Sequence, residues 1–369
     1  MKTKKLFFSL VSAVLVVIAS LALVSCGKSK AEIAVVTDVG LLMDGGFNQG
    51  TWEGAEAYAK ANGKTVKYYQ PANGADATDA DRIAAMRTAI KNGAKVIVTP
   101  GFLQETAIKT VAAESKDVKF IFVDGWSLGL DNVTSISYKE EESGFFAGYA
   151  AVKEGFTKLG GTFGGGGGNP ACNRFAYGYV QGANAAAKAL NKIVDVKISY
   201  QYGSSFGASP ELKTQISGWY NSGIEVVFSC GGSMVQSVLS AANETTSGKV
   251  IGVDVDQASL SDRVITSAVK GLSVSVQQVL GQFYAGKWDT ELANVTQNLG
   301  AKEDATGLPT AQGSWRFEHF SVSEYEALFA QVKAGTLQIK SDVATDCDTL
   351  DFWTPVNLAL TNVNITLEK

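Results

Sequence analysis

From residue 31 onwards, short runs of β-branched and apolar residues alternate with stretches in which apolar positions recur at helical spacing. The short runs are typical of buried strands and the periodic stretches of helices packed on one face. Up to residue 125 the pattern predicts strands at "AEIAVVTD", "TVKYYQP", "AKVIVTPG" and "VKFIFVDG", and helices at "QGTWEGAEAYAKANG", "DADRIAAMRTAIKNG" and "QETAIKTVAAESK". Strict alternation of strand and helix predicts a parallel sheet covered on both faces.

The same alternation of strand and helix restarts after "SISYKEEESGFFAGYAAVKEG", which indicates a second lobe. We interpret "KEEESG" within this stretch as the connection between the two lobes and the start of a helix. It predicts strands in "KLGGTFGGGG", "VDVKISYQYG", "IEVVFSCGG" and "KVIGVDVD", and helices at "ACNRFAYGYVQGANAAAKAL", "SPELKTQISGWYNSG" and "MVQSVLSAANET". We expect "DRVITSAVKG" and a helix over 272–286 to return to the first lobe, and the stretch after residue 315 to supply closing strands. The doubling predicts an α/β protein of two doubly wound parallel-sheet lobes joined by a hinge.

The expected boundaries follow from this pattern. Lobe 1 takes residues 31–137 and 263–312, and lobe 2 takes residues 138–262 and 313–369. A ligand is expected in the cleft outside the carboxyl ends of the strands. The segments that directly follow apolar strands therefore lie at the cleft: "VTDVGLLMDGGFNQGTWEG", "TPGF", "VDGW", "YGSSF", "SCGG" and "VDVDQ".

The first 25 residues are a secretory signal by pattern, since the basic "MKTKK" precedes the apolar "LFFSLVSAVLVVIASLALV". The signal ends in "LVSC", which is similar to a bacterial lipobox and predicts that Cys26 carries a lipid and that residues 26–30 are a tether. A plain N-terminal anchor helix is the alternative. The lipobox places the protein on the extracytoplasmic face of the cell membrane.

Composition narrows the classes of function. Removing residues 1–25 takes away three lysines and no acid, which leaves 29 basic and 36 acidic residues and a net charge of −7. This balance argues against nucleic acid as a partner. Cys172, Cys230 and Cys347 then remain, with no CxxC spacing, so a zinc site is not expected and at most one disulfide can form. The single histidine, His319, lies in an alternating pattern typical of a strand, which leaves no candidate for Ser-His chemistry.

Two glycine-containing stretches fail as phosphate-binding loops. The run at 164–168 offers a dinucleotide-like register only with Pro170 inside it, and Tyr58 stands where "GKT" at 63–65 would need the first P-loop glycine. Phosphate binding is therefore not expected, and neither is a cofactor or a metal.

Seven motifs together resemble the basic membrane protein family of bacterial substrate-binding lipoproteins, whose known members bind purine nucleosides for ATP-binding-cassette importers. The motifs are "DVGLLMDGGFNQGTWEG", "FIFVDG", "SISYKEEESGFFAGYAA", "GGNPACNRFAYGYVQGAN", "YGSSF", "VIGVDVDQ" and "VITSAVKG". The resemblance implies a type I periplasmic-binding-protein fold that encloses its ligand between the lobes. It also implies a monomer that delivers guanosine, inosine or adenosine to a permease and its ATPase.

The resemblance implies roles for particular residues. Phe47 and Phe206 are expected to sandwich the base, Asn48 and Asp124 to contact its polar edge, and Asp254 and Lys270 to hold the ribose. These residue types fit a nucleoside, because a purine needs stacked faces and a satisfied edge, and vicinal hydroxyls suit a carboxylate and an ammonium. Asp44 and Gly231 complete the expected ligand-binding set.

Some assignments stay open at this stage. Asp38 and Asp256 are as suited to ordering loops as to touching ligand, and Trp126 either walls the cleft or packs. Two other functions also remain. One is a nucleoside hydrolase, because Asp38, Gly40 and Asp44 loosely resemble an aspartate-rich calcium site, and the other is a lipid-anchored ligand sensor of the same fold.

Overall fold

A computed structural model of the protein describes residues 30–39, 41–200, 206–341 and 360–368. The predicted signal, Cys26 and Cys347 lie outside these residues. Among the described residues, no helix is both long and apolar enough to cross a membrane.

The first lobe is built on a sheet of six strands, counted over the described residues, in the order β11-β5-β4-β3-β1-β2 with every pair parallel. Its strands are β1 Ile33–Val36, β2 Val66–Tyr69, β3 Val96–Pro100, β4 Lys119–Val123, β5 Val133–Tyr138 and β11 Thr296–Leu299. Its helices are α1 Phe47–Ala61, α2 Asp79–Lys91, α3 Glu105–Glu114 and α8 Leu272–Tyr284. The helices cover both faces, because α1 and α8 pack on one apolar cluster and α2 and α3 on another.

The second lobe has a sheet of seven strands within the described ranges, in the order β12-β10-β9-β8-β6-β7-β13. All pairs are parallel except β10 with β12. Its strands are β6 Lys158–Phe163, β7 Val194–Tyr200, β8 Val226–Cys230, β9 Lys249–Asp254, β10 Val264–Lys270, β12 Thr306–Gly307 and β13 Val363–Glu368. Its helices are α4 Glu140–Glu154, α5 Pro170–Ala189, α6 Pro210–Asn221, α7 Met234–Asn243 and α9 Val322–Lys333.

The described chain crosses between the lobes after Tyr138, after Lys270 and after Leu299. The two predicted parallel-sheet lobes are confirmed, and "KEEESG" does contain the first crossing and the start of α4. The expected return of "DRVITSAVKG" to the first lobe is wrong. This segment forms β10, which pairs with β9 of the second sheet, and only the helix that follows returns to the first lobe.

The region after Trp315 also differs from the expectation. It contains helix α9, whose first turn is capped by Ser321 through the backbone N–H of Glu324, and the one closing strand among the described residues there is β13. His319 is not in a strand: it is exposed in an irregular segment, and its backbone N–H donates to the Glu154 carboxylate. The alternating pattern here reflects aromatic packing, because Trp315 contacts both Phe317 and Phe320.

Helices α4 and α5 pack with their backbones in contact. A Cβ added at Gly144 would lie 2.2 Å from the carbonyl oxygen of Phe175, and one added at Gly182 would lie 1.9 Å from that of Phe145. Such distances exclude any side chain, so glycine is required for the close approach. The contact fixes the first turns of the two helices, which lie beside the cavity described next.

Candidate functional site

A cavity of about 440 Å³ lies between the lobes, at the carboxyl ends of strands from both sheets. All the residues predicted to bind ligand line it, namely Asp44, Phe47, Asn48, Asp124, Phe206, Gly231, Asp254 and Lys270. The structure thus brings the whole predicted set to one place, although these residues are spread over more than two hundred positions of sequence.

The start of α1 presents an amide to the cavity. The Asp44 carboxylate accepts hydrogen bonds from the backbone N–H groups of Gly46, Asn48 and Gln49, so it caps the helix. The Asn48 side chain donates to the carbonyl of Val39, and its Oδ1 atom is buried with no hydrogen-bond partner among the described residues. Asp44 therefore orients the segment, and the Asn48 side chain leaves an unpaired amide oxygen beside the cavity.

Lys270, the last residue of β10, lies within a cluster of carboxylates. Its Nζ atom is 2.6 Å from Asp124 Oδ2, 3.4 Å from Asp254 Oδ1 and 3.4 Å from Glu140 Oε1. The pair with Asp124 joins the two lobes, because Asp124 follows β4 of the first sheet. Asp124 is thus the nearest partner of Lys270, and the two side chains form one charged pair in the cavity.

Both aspartates of this cluster adopt left-handed backbone conformations at the ends of their strands. The φ angle is 56° at Asp124 and 67° at Asp254. Aspartate tolerates this conformation better than most residues do, but single non-glycine residues held there are uncommon and concentrate at functional sites. Each of these left-handed residues holds a carboxylate within 3.4 Å of the Lys270 ammonium.

Burial and charge set the protonation of the cluster. Burial raises the pKa of Asp124 to about 6 even though the Lys270 ammonium lowers it, and burial likewise raises the pKa of Asp254. Burial alone would lower the pKa of Lys270, but the three carboxylates hold it well above its usual range. The ammonium is therefore charged at neutral pH.

The sequence reasoning did not assign Glu140 to the site. Glu140 is fully buried at the first position of α4, and its Oε2 atom is 2.5 Å from Arg174 Nε of α5. Burial would raise the pKa of Glu140, but Arg174 and Lys270 together hold it below its usual value. Arg174 lines the cavity. The sequence feature that could have identified Glu140 is the run of three acidic residues, Glu140 to Glu142, which begins just after β5 ends at Tyr138.

Aromatic rings form the apolar walls of the cavity. Phe47 lies with its ring centroid 4.9 Å from Lys270 Nζ, and Phe102 packs edge-on against Phe206 with centroids 6.4 Å apart. Phe102 and Phe175 were not named from the sequence, although "TPGF" was expected at the cleft. Trp126 lines the cavity and also contacts Phe122, so both of its predicted roles apply.

Gly231 supports the Phe206 wall. Its φ angle is 147°, and a Cβ added there would lie 3.0 Å from the Phe206 ring. A side chain at this position would crowd the Phe206 ring and the Met234 sulfur. Residues 202–205 of the expected "YGSSF" segment lie outside the described residues.

Asp38 and Asp256, whose roles the sequence leaves undecided, have different surroundings. Asp38 lines the cavity and is buried, which raises its pKa to about 7, and its carboxylate accepts from the N–H of Val39. Asp256 orders a loop, because it accepts from the N–H of Ala258 and from the hydroxyl of Ser314. Gln257 beside it donates to the carbonyl of Gly45 and so links the two lobes.

Cys172 and Cys230 are buried free thiols in the cavity wall. The sulfur of Cys172 lies 3.9 Å from the carbonyl oxygen of Cys230. Cys347, the third cysteine of the expected mature chain, lies outside the described residues.

Solved structures of transport proteins share this two-lobe fold. The chain is similar to a solute-binding protein of an ABC transporter system from Aeropyrum pernix, with a TM-score of 0.65 at 23% identity over 85% of this chain and 82% of that one. A second such protein, from Conexibacter woesei, matches with a TM-score of 0.65 at 21% identity over 85% of this chain and all of that one. These likenesses support the type I periplasmic-binding-protein fold.

The amino-acid sequence matches at the level of family. The chain is 32% identical over 286 residues to an ABC transporter nucleoside-binding protein, BmpA, from Lactococcus lactis, which covers 71% of this chain and 78% of that protein. It is 30% identical over 240 residues to basic membrane protein B of Borreliella burgdorferi, which covers 63% of this chain and 67% of that protein. The family model of PnrA-like ABC transporter substrate-binding proteins matches residues 31–340, a range that contains every residue of the cavity. With its fold, its cavity and its sequence in agreement, the chain belongs to the Bmp family of ABC transporter substrate-binding proteins.

Proposed function

We propose that the protein captures a purine nucleoside in the cavity between its lobes and delivers it to an ATP-binding-cassette importer. One observation carries the proposal: the cavity joins aromatic walls, an acceptor amide and a buried ammonium flanked by carboxylates. The rings suit the faces of a base and the amide suits its edge. The ammonium can donate to a sugar hydroxyl, and the carboxylates can accept from one. In this assignment Phe47 and Phe206 hold the base, and Asp254 and Lys270 hold the ribose.

The charge of the cavity favours an uncharged ligand over a nucleotide. Lys270 has Asp124, Asp254 and Glu140 around it, and Arg174 is already paired with Glu140. A phosphate placed here would meet cations that carboxylates already satisfy, and it would lie close to those carboxylates in a buried site. Like charges brought together in this way oppose binding by several kcal/mol.

The proposal includes an extracytoplasmic, lipid-anchored location. It is supported by the signal and lipobox pattern at residues 1–26, which lie outside the described residues. The partners are then the permease and ATPase of the importer, and the protein acts as a monomer. Replacing Cys26 with alanine should abolish metabolic labelling by palmitate, and unchanged labelling would contradict the anchor.

A hydrolase is disfavoured by the geometry of the first strand end. The Asp44 carboxylate is committed to three backbone N–H groups, and Asp38 accepts from its own neighbour, so they are not arranged as converging calcium ligands. Gly40 lies outside the described residues. Incubation of inosine with protein and calcium tests this alternative, since release of free base would replace binding by catalysis.

Calorimetry tests the proposal directly. Guanosine, inosine and adenosine are titrated into the mature protein, with guanosine monophosphate and ribose as controls, and any molecule that copurifies is identified by mass spectrometry. Binding of at least one nucleoside, much tighter than its nucleotide, is the expected result. Failure of all three nucleosides to bind would overturn the ligand class. A sensor would bind the same ligands, and neighbouring permease and ATPase genes distinguish transport from sensing.

A further inference from the structure

Glu140 touches the binding cluster from behind the cavity. It is 0% exposed and is not among the residues that line the cavity, yet its Oε1 atom is 3.4 Å from Lys270 Nζ. That oxygen has no hydrogen-bond partner among the described residues, while the other carboxylate oxygen accepts from Arg174. The carboxylate therefore faces the ammonium with one oxygen and the guanidinium with the other.

The three carboxylates around Lys270 do not belong to the same lobe. Asp124 follows β4 of the first sheet, whereas Asp254 ends β9 and Glu140 begins α4 in the second lobe with Lys270. If the lobes separated, Asp124 would move away with its sheet, and Lys270 would keep only Asp254 and Glu140 as partners. A lysine side chain is a flexible chain of four carbons, so an ammonium without fixed partners would adopt many positions.

The Glu140 carboxylate is itself held rigidly. Arg174 lies in the first turns of α5, and α5 packs so closely on α4 that no side chain fits at the glycine contacts between them. The guanidinium also offsets the cost of burying a carboxylate at this depth. Glu140 thus has a fixed position and a fixed charge, both of which a group needs in order to position another.

We propose that Glu140, held by Arg174, is a positioning residue that keeps the Lys270 ammonium aimed into the cavity before ligand arrives. This rests on the proposed function, in which Lys270 donates to the sugar of a nucleoside. Preorganisation of this kind raises affinity by removing the cost of ordering the side chain on binding. Its effect is confined to the part of the ligand that Lys270 contacts.

The adjacent residue supplies a matched control. Glu141 is also buried and near Arg174, with its Oε2 atom 4.0 Å from Nε, but it does not contact Lys270. Glu140→Gln should weaken guanosine binding about tenfold or more and leave free guanine within about twofold, whereas Glu141→Gln should leave both within about twofold. Equal losses for guanosine and guanine in Glu140→Gln, or the same loss in Glu141→Gln, would overturn the proposal.

A double-mutant cycle tests whether Glu140 acts through Lys270. In protein that already carries Lys270→Met, Glu140→Gln should change guanosine affinity by less than about threefold, because the group that it positions is gone. An undiminished loss in that background would contradict the proposal. If Glu140→Gln does not fold, as judged by thermal unfolding, Glu140→Asp takes its place. It keeps the charge but draws it back from Lys270, and it should give a smaller loss of guanosine affinity with guanine unchanged.

A ligand-free measurement separates this proposal from the proposed function. In protein with ¹⁵N-labelled lysine, the Nζ resonance of Lys270 is identified by its loss in Lys270→Met. It should move in Glu140→Gln and stay in place in Glu141→Gln. An unmoved resonance overturns the positioning role, whereas a wild-type protein that binds no nucleoside overturns only the ligand assignment.

Discussion

Replacing Asp254 with asparagine tests which part of the ligand the carboxylate cluster holds. Asp254 has a φ angle of 67°, a conformation that asparagine adopts readily and alanine does not. Asparagine therefore removes the charge and leaves the turn intact. Alanine in the same place would add about 1–2 kcal/mol of backbone strain to any loss of binding.

The magnitude follows from the surroundings of the carboxylate. Asp254 Oδ1 lies 3.4 Å from Lys270 Nζ, a separation at which unit charges attract by about 5 kcal/mol at an effective dielectric constant of about 20. Burial opposes this attraction, since it raises the pKa of Asp254. What a ligand loses is one hydrogen bond to a charged group, about 1.5–3 kcal/mol. We therefore expect Asp254→Asn to weaken guanosine by about tenfold to 150-fold.

Calorimetry with guanosine and with free guanine makes the comparison. Guanine lacks the ribose, so its affinity should change by less than about threefold in Asp254→Asn. Thermal unfolding of the variant, compared with wild type and with Asp254→Ala, checks that the asparagine preserves the fold. Equal losses for guanosine and guanine would refute the assignment of Asp254 to the ribose.

Three other substitutions have defined outcomes. Phe206→Ala should weaken guanosine and guanine alike by about 1–3 kcal/mol in calorimetry, because both ligands share the stacked base; a loss for guanosine alone would contradict stacking. Gly144→Ala should lower the free energy of unfolding, measured in urea, by about 1–3 kcal/mol, because the added Cβ would lie 2.2 Å from a carbonyl oxygen of α5. Gly218→Ala is the control, since its added Cβ would have nothing within 4 Å, and it should raise the free energy of unfolding by up to about 1 kcal/mol. Equal effects would contradict the close helix contact. Burial raises the pKa of Glu141 from 4.5 to about 8. Because the unfolded chain loses this proton at a lower pH than the folded protein does, the wild type should lose stability as pH rises from 4.5 to about 8, by at most about 1.4 kcal/mol per pH unit. Glu141→Gln should match it near pH 5 and exceed it near pH 8, and parallel pH profiles would exclude a buried neutral carboxyl.

The alternation of strand and helix was enough to predict both sheets, because parallel strands covered on two faces leave a plain apolar signal. It could not predict which sheet β10 joins. Along the chain, β10 lies between β9 and α8, which is a helix of the other lobe. The apolar residues of β10 are suited to burial in either sheet. Helix α9 was missed because its aromatic neighbours from 315 to 320 alternate like a strand.

The site was predictable where a residue's position at a strand end and its chemistry agree. Asp254 and Lys270, which end β9 and β10, follow this rule, and the structure places both at the cavity. Phe47 also lines the cavity, but it begins α1, and its expected role came from the family resemblance. Asp44 caps α1 through local contacts, with backbone N–H groups two to five residues further along the chain. The place of Glu140 behind Lys270 depends on a tertiary contact, which no local pattern encodes. The pair of Lys270 with Asp124 likewise joins residues 146 positions apart.

The order in which the strands appear along the chain bears on how the protein folds. The first sheet is completed by β11, which pairs with β5 only after the chain has passed through most of the second lobe, and the second sheet gains β13 beside β7 at its edge. Neither lobe is a continuous segment, so neither can close early during synthesis or export. Pairings over such long loops slow folding. Incomplete chains would expose the unpaired edges of β5 and β7, and such edges are sites at which other chains can add. A chaperone that holds the chain until residue 299 has emerged would protect the first of these edges.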